Sequence, residues 1–225
     1  MQQNFCENTL VKATVEYVKS FFLNECPSHD FEHILRVYYN ALNLQKKEGG
    51  NLFLIAMSAL LHDMEDYKLS HKPSIRSWLE KNHLPETEIK QIQEIVNRVS
   101  YSKNLNTQLN TIEQQIVQDA DRLDAIGAIG IARAFSYGGE NNRAIVCAQA
   151  EPVFSKKLAQ SSIAHFYEKL LLIKDKLNTK TAKKIAEKRH ALLIHYLENF
   201  DQEMQFSSKK EVEHNFKLEP VGLNE

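Results

Sequence analysis

Hydrophobic residues recur along most of the chain at intervals of three and four positions, which is the period of one face of an α-helix. The inner stripe of one predicted helix, for example, consists of Ile34, Val37, Ala41 and Leu44. The segment 52–61 is apolar on nearly all sides, as a central buried helix is. The pattern therefore predicts an all-α fold with this segment in the middle of a helical bundle.

Capping and breaking residues divide the pattern into separate helices. The first predicted helix ends before Cys26, and the second begins at Ser28 or Asp30 and ends near Glu48, before Gly49 and Gly50. The third begins at Asn51 and ends near Glu65. Later helices are predicted to begin at Ser74, Pro85, Thr111 and Thr179. The helix after Thr111 is predicted to continue through Gly127 and Gly130 to a break at 136–139. Residues 140–152 are a candidate lid, and further helices are predicted at about 155–176 and 180–204. We expect a single domain over 1–205 and a flexible tail over 206–225.

Composition supports helices and limits the partners. The 225 residues include only seven glycines and five prolines, well below the average of about 12% for the two together. The formal net charge of −1 gives no basic surface of the kind that nucleic-acid-binding domains carry, so we expect no nucleic-acid partner. Three widely spaced cysteines fit neither a disulfide framework nor a paired-cysteine metal site. With no secretory signal and no bilayer-length apolar stretch, we expect a cytoplasmic protein without a membrane partner.

Histidines and an aspartate stand at chemically informative places in the helical pattern. His62 and Asp63 follow the most apolar helix, where burying two ionisable groups is costly unless they are paired or bind a cation. They could equally end the helix, with His62 interacting with the helix dipole. His33 and Arg36 are three positions apart, so both can face one cleft. His29 precedes them at the start of the same helix.

Three aspartates, Asp119, Asp121 and Asp124, surround Arg122 in the later long helix. Asp119 and Asp121 lie on nearly opposite sides of a helix, because two positions turn the chain by about 200°. We therefore expect only one of these two acids to face a pocket shared with the histidines. Spacing alone leaves the choice open, and a solvated face or an ion pair with Arg122 explains each acid equally well.

Three segments taken together resemble a known superfamily. SHDFEHILRV (28–37), ALLHD (59–63) and QDADRLDAIGAIGIAR (118–133) resemble the HD-domain superfamily of metal-dependent phosphohydrolases. With LLHDMEDYK (60–68), they are most similar to small bacterial HD hydrolases that resemble nucleotide pyrophosphohydrolases. The resemblance covers about residues 25–200. It implies an all-α HD-domain bundle with a ligand-bearing core at about 25–135 and additional C-terminal helices at about 155–204.

The resemblance also implies a set of metal ligands, which are His33, His62, Asp63 and Asp121. Asp121 is preferred to Asp119 because the superfamily's last ligand is usually the acid of a segment of the form A-D-[RK]-L. Two imidazoles and two carboxylates suit a divalent ion such as Mn, Mg, Fe, Ni or Zn, so the identity of the ion stays open. A second ion near His29 or Asp119 also stays open.

A divalent ion at such a site activates water and binds a phosphoryl oxygen, so the expected substrate is a small phosphorylated molecule, in particular a nucleotide. Asp66 follows His62 by four positions and Asp63 by three, so it can project beside the ligands as a catalytic carboxylate. The neighbouring Glu65 is rotated by about 100° and is the weaker candidate. Lys68 and Arg122 are the best-placed cations for binding a phosphate group, and the resemblance supports both. His29 is a third substrate-binding candidate, but it could instead donate a proton to the leaving group or lie behind the metal ligands.

The reaction we expect converts a nucleoside triphosphate to a monophosphate and pyrophosphate. One alternative is removal of phosphate from a nucleoside monophosphate. Another is hydrolysis of guanosine tetraphosphate, although residues 62–66 read H-D-M-E-D, one residue shorter than the usual H-D-x-x-E-D arrangement of those hydrolases. A third alternative, from a different class, is a non-catalytic nucleotide or metal sensor. The oligomeric state stays open between monomer and homodimer.

Overall fold

The computed structural model describes residues 2–22, 31–64, 74–99, 109–146 and 161–206. Within these ranges the chain is built from helices, and its only β-type contact is an isolated bridge between Ala144 and Ser161. The all-α prediction is confirmed. The α-helices are α1 (Gln2–Phe22), α2 (Phe31–Glu48), α3 (Leu52–Leu61), α4 (Ile75–Lys81), α5 (Glu86–Val99), α6 (Ile112–Asp124), α7 (Gly127–Glu140), α8 (Ser162–Glu168) and α9 (Lys180–Phe206).

Helix α3 lies at the centre of the bundle. Every residue from Phe53 to Leu61 is buried, and the helix packs against α1, α2, α5 and α6. A helix that is apolar all round can lose its contact with water only if neighbours surround it, which is why this segment becomes the core. Truncating a fully buried side chain such as Leu60 to alanine is expected to cost about 2–5 kcal/mol. Among the described residues, no helix is long and apolar enough to cross a bilayer.

The predicted helix starts are confirmed wherever the capping residue is described. Asn51 and Ser74 each accept a hydrogen bond from the backbone N–H three residues later. Thr111 forms a full capping box with Gln114, and the hydroxyl of Thr179 accepts from the backbone N–H of Ala182. These side chains satisfy N–H groups that a helix leaves without partners at its start. The predicted capping residues Ser28 and Asp30 lie outside the described residues.

The prediction of one helix from Thr111 to a break at 136–139 is wrong. Helix α6 ends at Asp124, and α7 begins at Gly127 and continues through the predicted break to Glu140. Gly127 has φ +81°, a left-handed conformation that favours glycine. A Cβ atom on Gly130 would overlap the backbone carbonyl of Ala125. The two glycines therefore permit a sharp turn between α6 and α7.

The predicted helix at about 155–176 is also interrupted in its described part. Helix α8 ends at Glu168, and two 3-10 turns follow at Leu170–Leu172 and Lys174–Lys176. Lys169 leaves the helical region with φ −136°, and Leu170 and Ile173 are buried in the core. Burial of these two side chains explains the interruption, because in a continuous helix they would point in other directions. The final predicted helix is confirmed as α9.

Candidate metal centre

Three helices bring the histidines and aspartates of the sequence motifs to one place. His33 lies in the first turn of α2, His62 and Asp63 follow the end of α3, and Asp121 lies in α6. Helix α2 packs against both α3 and α6. Helix α3 ends at Leu61 and not near Glu65 as predicted, since residues 62–64 form a turn. This turn places His62 and Asp63 at the edge of the core.

The side chains of these residues surround a small shared space. The Nε2 atom of His33 lies 3.5 Å from Oδ2 of Asp63 and 3.5 Å from Oδ1 of Asp121. The Nε2 atom of His62 lies 3.5 Å from Oδ1 of Asp63 and 4.0 Å from Oδ1 of Asp121. Donor atoms of His33, His62 and Asp121 all lie within 4.8 Å of one another. This separation is suitable for donors that share one cation.

The hydrogen bonds of His62 leave its inner nitrogen available to such a cation. Its Nδ1 atom lies 2.8 Å from the backbone carbonyl of Ala59. A carbonyl only accepts, so Nδ1 carries the proton and Nε2 has a lone pair. Among the described residues, this buried Nε2 atom has no hydrogen-bond partner. A buried lone pair facing two carboxylates fits a divalent metal ion, because metal-binding histidines donate their other N–H to an oxygen in this way.

His33 has a carboxylate as its outer neighbour. Its Nδ1 atom lies 2.7 Å from Oδ2 of Asp124. Burial acts to lower the pKa of His33, but hydrogen bonds to Asp124 and Asp63 outweigh burial and raise the pKa to about 9. A cation at this site must therefore displace a proton from the imidazole of His33.

Asp124 is almost completely buried, and its carboxylate contacts three nitrogen-bearing side chains. Besides His33, it accepts from Nε of Arg36 at 2.7 Å and from Nη1 of Arg133 at 2.5 Å. Burial acts to raise the pKa of Asp124, but the hydrogen bonds from His33 and Arg36 hold it far below its ordinary range. Asp124 therefore stays a carboxylate. The sequence placed Arg36 on the same helix face as His33, but neither spacing nor charge indicated that Asp124 contacts both residues.

Asp119 points away from the histidines. Its carboxylate accepts hydrogen bonds from the backbone N–H groups of Asn178 and Thr179 at 2.9 and 2.7 Å, and from the Thr179 hydroxyl at 2.8 Å. Burial acts to raise the pKa of Asp119, and these hydrogen bonds oppose it, with the net direction upward. Asp119 thus joins α6 to the start of α9. The separation of Asp119 from Asp121 follows from the 200° turn between them.

Of the remaining predicted site residues, Arg122 is described by the structure and the other three are not. The Arg122 side chain is buried, and its Nη1 donates to the backbone carbonyl of Lys176. This contact ties α6 to the segment before α9, and the substrate-binding role of Arg122 stays a prediction. The predicted catalytic Asp66 and the predicted substrate-binding residues His29 and Lys68 lie outside the described residues.

Comparison with known proteins places this arrangement in a family. The HD domain profile matches residues 30–126. YpgQ of Bacillus subtilis (strain 168) is 33% identical over 195 residues, which cover 84% of this chain and 90% of YpgQ.

Solved structures share this fold over most of the chain. Lin1889 from Listeria innocua is 37% identical with a TM-score of 0.72, covering 90% of this chain and 99% of that one. An HD-superfamily hydrolase from Bacillus thuringiensis is 38% identical with a TM-score of 0.70, over 88% and 98% of the chains. YpgQ in complex with ADP is 32% identical with a TM-score of 0.74, over 88% and 96%.

These similarities extend over most of each chain, and the candidate metal centre lies within the matched domain. The chain belongs to the HD-domain superfamily of hydrolases. It is a metal-dependent phosphohydrolase of that superfamily, as the sequence motifs implied.

Proposed function

We propose that this phosphohydrolase cleaves a nucleoside triphosphate to a monophosphate and pyrophosphate at the centre between α2, α3 and α6. The observation that carries the proposal is the buried Nε2 atom of His62, which has no hydrogen-bond partner among the described residues and faces the carboxylates of Asp63 and Asp121. A nucleotide is favoured because the similar protein YpgQ was crystallised with ADP.

We propose His33, His62, Asp63 and Asp121 as the ligands of one divalent ion. A divalent ion at such a site supplies Lewis-acid activation of water and of a phosphoryl group. The two imidazoles would bind through Nε2, since their Nδ1 atoms already contact Asp124 and the carbonyl of Ala59. The two carboxylates balance the charge of the ion. Mixed nitrogen and oxygen donors are compatible with Mn, Mg, Fe, Ni or Zn.

The further catalytic roles are proposed from the sequence. Asp66 orients or deprotonates the attacking water, since it lies only three residues after the ligand Asp63 and a carboxylate near the metal can act as a general base. His29, Lys68 and Arg122 bind the phosphate groups, which need fixed positive charge or hydrogen-bond donors. We propose no nucleic-acid or membrane partner for this reaction.

The products of a nucleotide panel test the proposal. The protein is incubated with nucleoside mono-, di- and triphosphates and Mn²⁺, and the mixture is freed of metal before ³¹P NMR. We expect pyrophosphate and monophosphate in equal amounts from triphosphates. Orthophosphate released from monophosphates would instead support the phosphatase alternative. Tight nucleotide binding without any product, with each divalent metal tried, would contradict the enzymatic proposal and favour the sensor.

A matched pair of variants connects the reaction to the proposed ligands. Asp121→Asn is expected to abolish turnover and metal binding, because it removes a carboxylate that lies 3.5 Å from His33 Nε2. Asp119→Asn changes a buried acid on the same helix that contacts Asn178 and Thr179 instead. It is expected to keep both properties. Equal activity in the two variants would contradict the proposed site.

A further inference from the structure

The Nδ1 atom of His33 has two close neighbours of opposite hydrogen-bonding character. It lies 2.7 Å from Oδ2 of Asp124 and 2.7 Å from Nη1 of Arg133. A carboxylate only accepts hydrogen bonds, and a guanidinium only donates them. The two neutral tautomers of the imidazole therefore have different partners: the Nδ1–H form pairs with Asp124, and the Nε2–H form pairs with Arg133.

These two tautomers differ in their use at the candidate metal centre. With the proton on Nδ1, the lone pair of Nε2 faces Asp63 and Asp121, both 3.5 Å away. With the proton on Nε2, the atom that faces the carboxylates is a donor and cannot bind a cation. Whether Nδ1 donates to Asp124 or accepts from Arg133 therefore decides whether Nε2 of His33 can bind a metal ion.

We propose that Asp124 is a positioning residue, which fixes His33 in the Nδ1–H tautomer and so makes Nε2 a metal donor. The proposal deepens the proposed function, since it rests on the same metal site. Its first support is the shared contact of Asp124 and Arg133. The Nη1 atom of Arg133 lies 2.5 Å from Oδ2 of Asp124, closer than its 2.7 Å to His33. The N–H of Arg133 therefore donates to Asp124, and it does not compete for the lone pair of Nδ1 of His33.

A second support is the fixed position of Asp124. Arg36 donates to it twice, from Nε at 2.7 Å and from Nη2 at 3.2 Å. A two-point contact of this kind fixes the plane of a carboxylate as well as its position. Because the Asp124 side chain is only 2% exposed, water cannot readily replace these partners. Arg36 and Arg133 together compensate its charge.

The turn between α6 and α7 is what brings Arg133 to Asp124. In one continuous helix, residues nine positions apart lie about 13.5 Å apart along the axis and on opposite faces. The observed contact between these two residues requires the chain to turn back after α6. The left-handed conformation of Gly127 permits that turn. The turn between α6 and α7 therefore helps to position Asp124 beside the candidate metal centre.

His62 provides an internal comparison, since its Nδ1 donates to the backbone carbonyl of Ala59. No side-chain substitution can remove that acceptor. A change at Asp124 is therefore expected to act on His33 and to leave the orientation of His62 intact.

The first test measures metal affinity in an isosteric variant. Asp124→Asn keeps the shape of the side chain, but its amide can present an N–H to Nδ1 and so favour the wrong tautomer. Competition with a chromophoric chelator is expected to give a Kd for Zn²⁺ that is about 10–100-fold higher than in the unmodified protein. Asp119→Asn is the matched control and should stay within about twofold of the unmodified protein. Circular dichroism verifies that both variants are folded at the temperature used.

The second test observes the imidazole directly and requires no variant. Long-range ¹H–¹⁵N correlation spectra of the Zn²⁺-loaded, ¹⁵N-labelled protein identify which ring nitrogen of His33 carries the proton. We expect a protonated Nδ1 and a metal-bound Nε2. Metal bound to Nδ1, or a proton on Nε2, would overturn the inference even if Asp124→Asn did not fold.

The outcomes separate this inference from the proposed function. A wild-type protein that binds no Zn²⁺ in the competition assay would defeat the proposed metal site itself. A wild-type protein that binds Zn²⁺, together with an Asp124→Asn variant of the same Kd and ring spectrum, would defeat only the positioning role of Asp124. A raised Kd with a changed His33 spectrum and an unchanged His62 spectrum would support it.

Discussion

The carboxylate of Asp119 accepts two hydrogen bonds from Thr179, one from its backbone N–H at 2.7 Å and one from its hydroxyl at 2.8 Å. Asp121, two positions further along α6, faces the histidines instead. Helix α6 therefore binds the C-terminal helix on one side and forms the candidate metal centre on the other. Two acids that look equivalent in the sequence have different structural surroundings.

Alanine substitutions should separate these two roles. Asp119→Ala leaves the buried N–H group of Thr179 and the partly buried N–H group of Asn178 without their acceptor. We therefore expect the free energy of unfolding to fall by about 2–4 kcal/mol. Asp121→Ala should change stability little in the absence of metal. Metal content by mass spectrometry should be retained in the first variant and lost in the second. Loss of metal in Asp119→Ala alone would show that Asp121 is the wrong ligand.

Asp66 is expected to affect the rate and not the affinity for metal. Asp66→Asn should keep the metal content of the wild-type protein and lower kcat by about 10²–10⁴-fold, the range typical of a lost general base. The adjacent Glu65→Gln is the matched control and should lower kcat far less. Steady-state kinetics on the substrate found in the nucleotide panel measure both effects. A larger loss in Glu65→Gln than in Asp66→Asn would assign the catalytic role to the other acid.

The turn between α6 and α7 should tolerate no side chain at Gly130. A Cβ atom there would overlap the backbone carbonyl of Ala125, so Gly130→Ala is expected to lower the free energy of unfolding by about 3 kcal/mol. A Cβ atom on Gly139, in the same helix, would meet no atom within 4 Å. Gly139→Ala should therefore be neutral or stabilise by up to about 1 kcal/mol. Urea unfolding compares the two, and equal stabilities would contradict the described turn.

His165 should make the protein less stable in mildly acidic solution. Burial lowers its pKa to about 4, helped by the charges of Lys169 and Arg143. In the unfolded chain the pKa returns to about 6.5, so between these values the unfolded state binds more protons, and stability falls as pH falls. His165→Gln should remove this contribution.

The pH dependence of the stability difference provides the control for His165. At pH 7.5 the histidine is neutral in both states, so the difference between His165→Gln and wild type reports packing alone. Between pH 6.5 and pH 4.5 the variant should gain stability relative to wild type in urea unfolding. A stability difference that stays constant over this range would contradict the lowered pKa.

The parts of the fold that depend on neighbouring residues could be predicted from the sequence. Asn51 and Thr111 cap helices through contacts with residues three positions away. The burial of α3 could likewise be predicted, because its sequence is apolar on nearly all sides. The interruptions after Asp124 and after Glu168 could not be predicted. They depend on contacts made elsewhere, such as the packing of Arg189 against Gly127 and the burial of Leu170 and Ile173.

The candidate site shows the same division. The superfamily motifs pointed to His33, His62, Asp63 and Asp121, and the structure brings these four residues together. The contact between Asp124 and His33 joins residues 91 positions apart. Neither spacing nor charge in the sequence indicates such a pair, because it arises only when α2 packs against α6.

Anomalous diffraction from crystals of this protein soaked in Mn²⁺ locates a bound ion directly and so tests the proposed metal centre. We expect one strong peak within bonding distance of Nε2 of both His33 and His62 and of carboxylate oxygens of Asp63 and Asp121. The peak should disappear in Asp121→Ala crystals and persist in Asp119→Asn crystals. A peak at other side chains, or a peak that does not contact both histidines, would contradict the proposed metal centre.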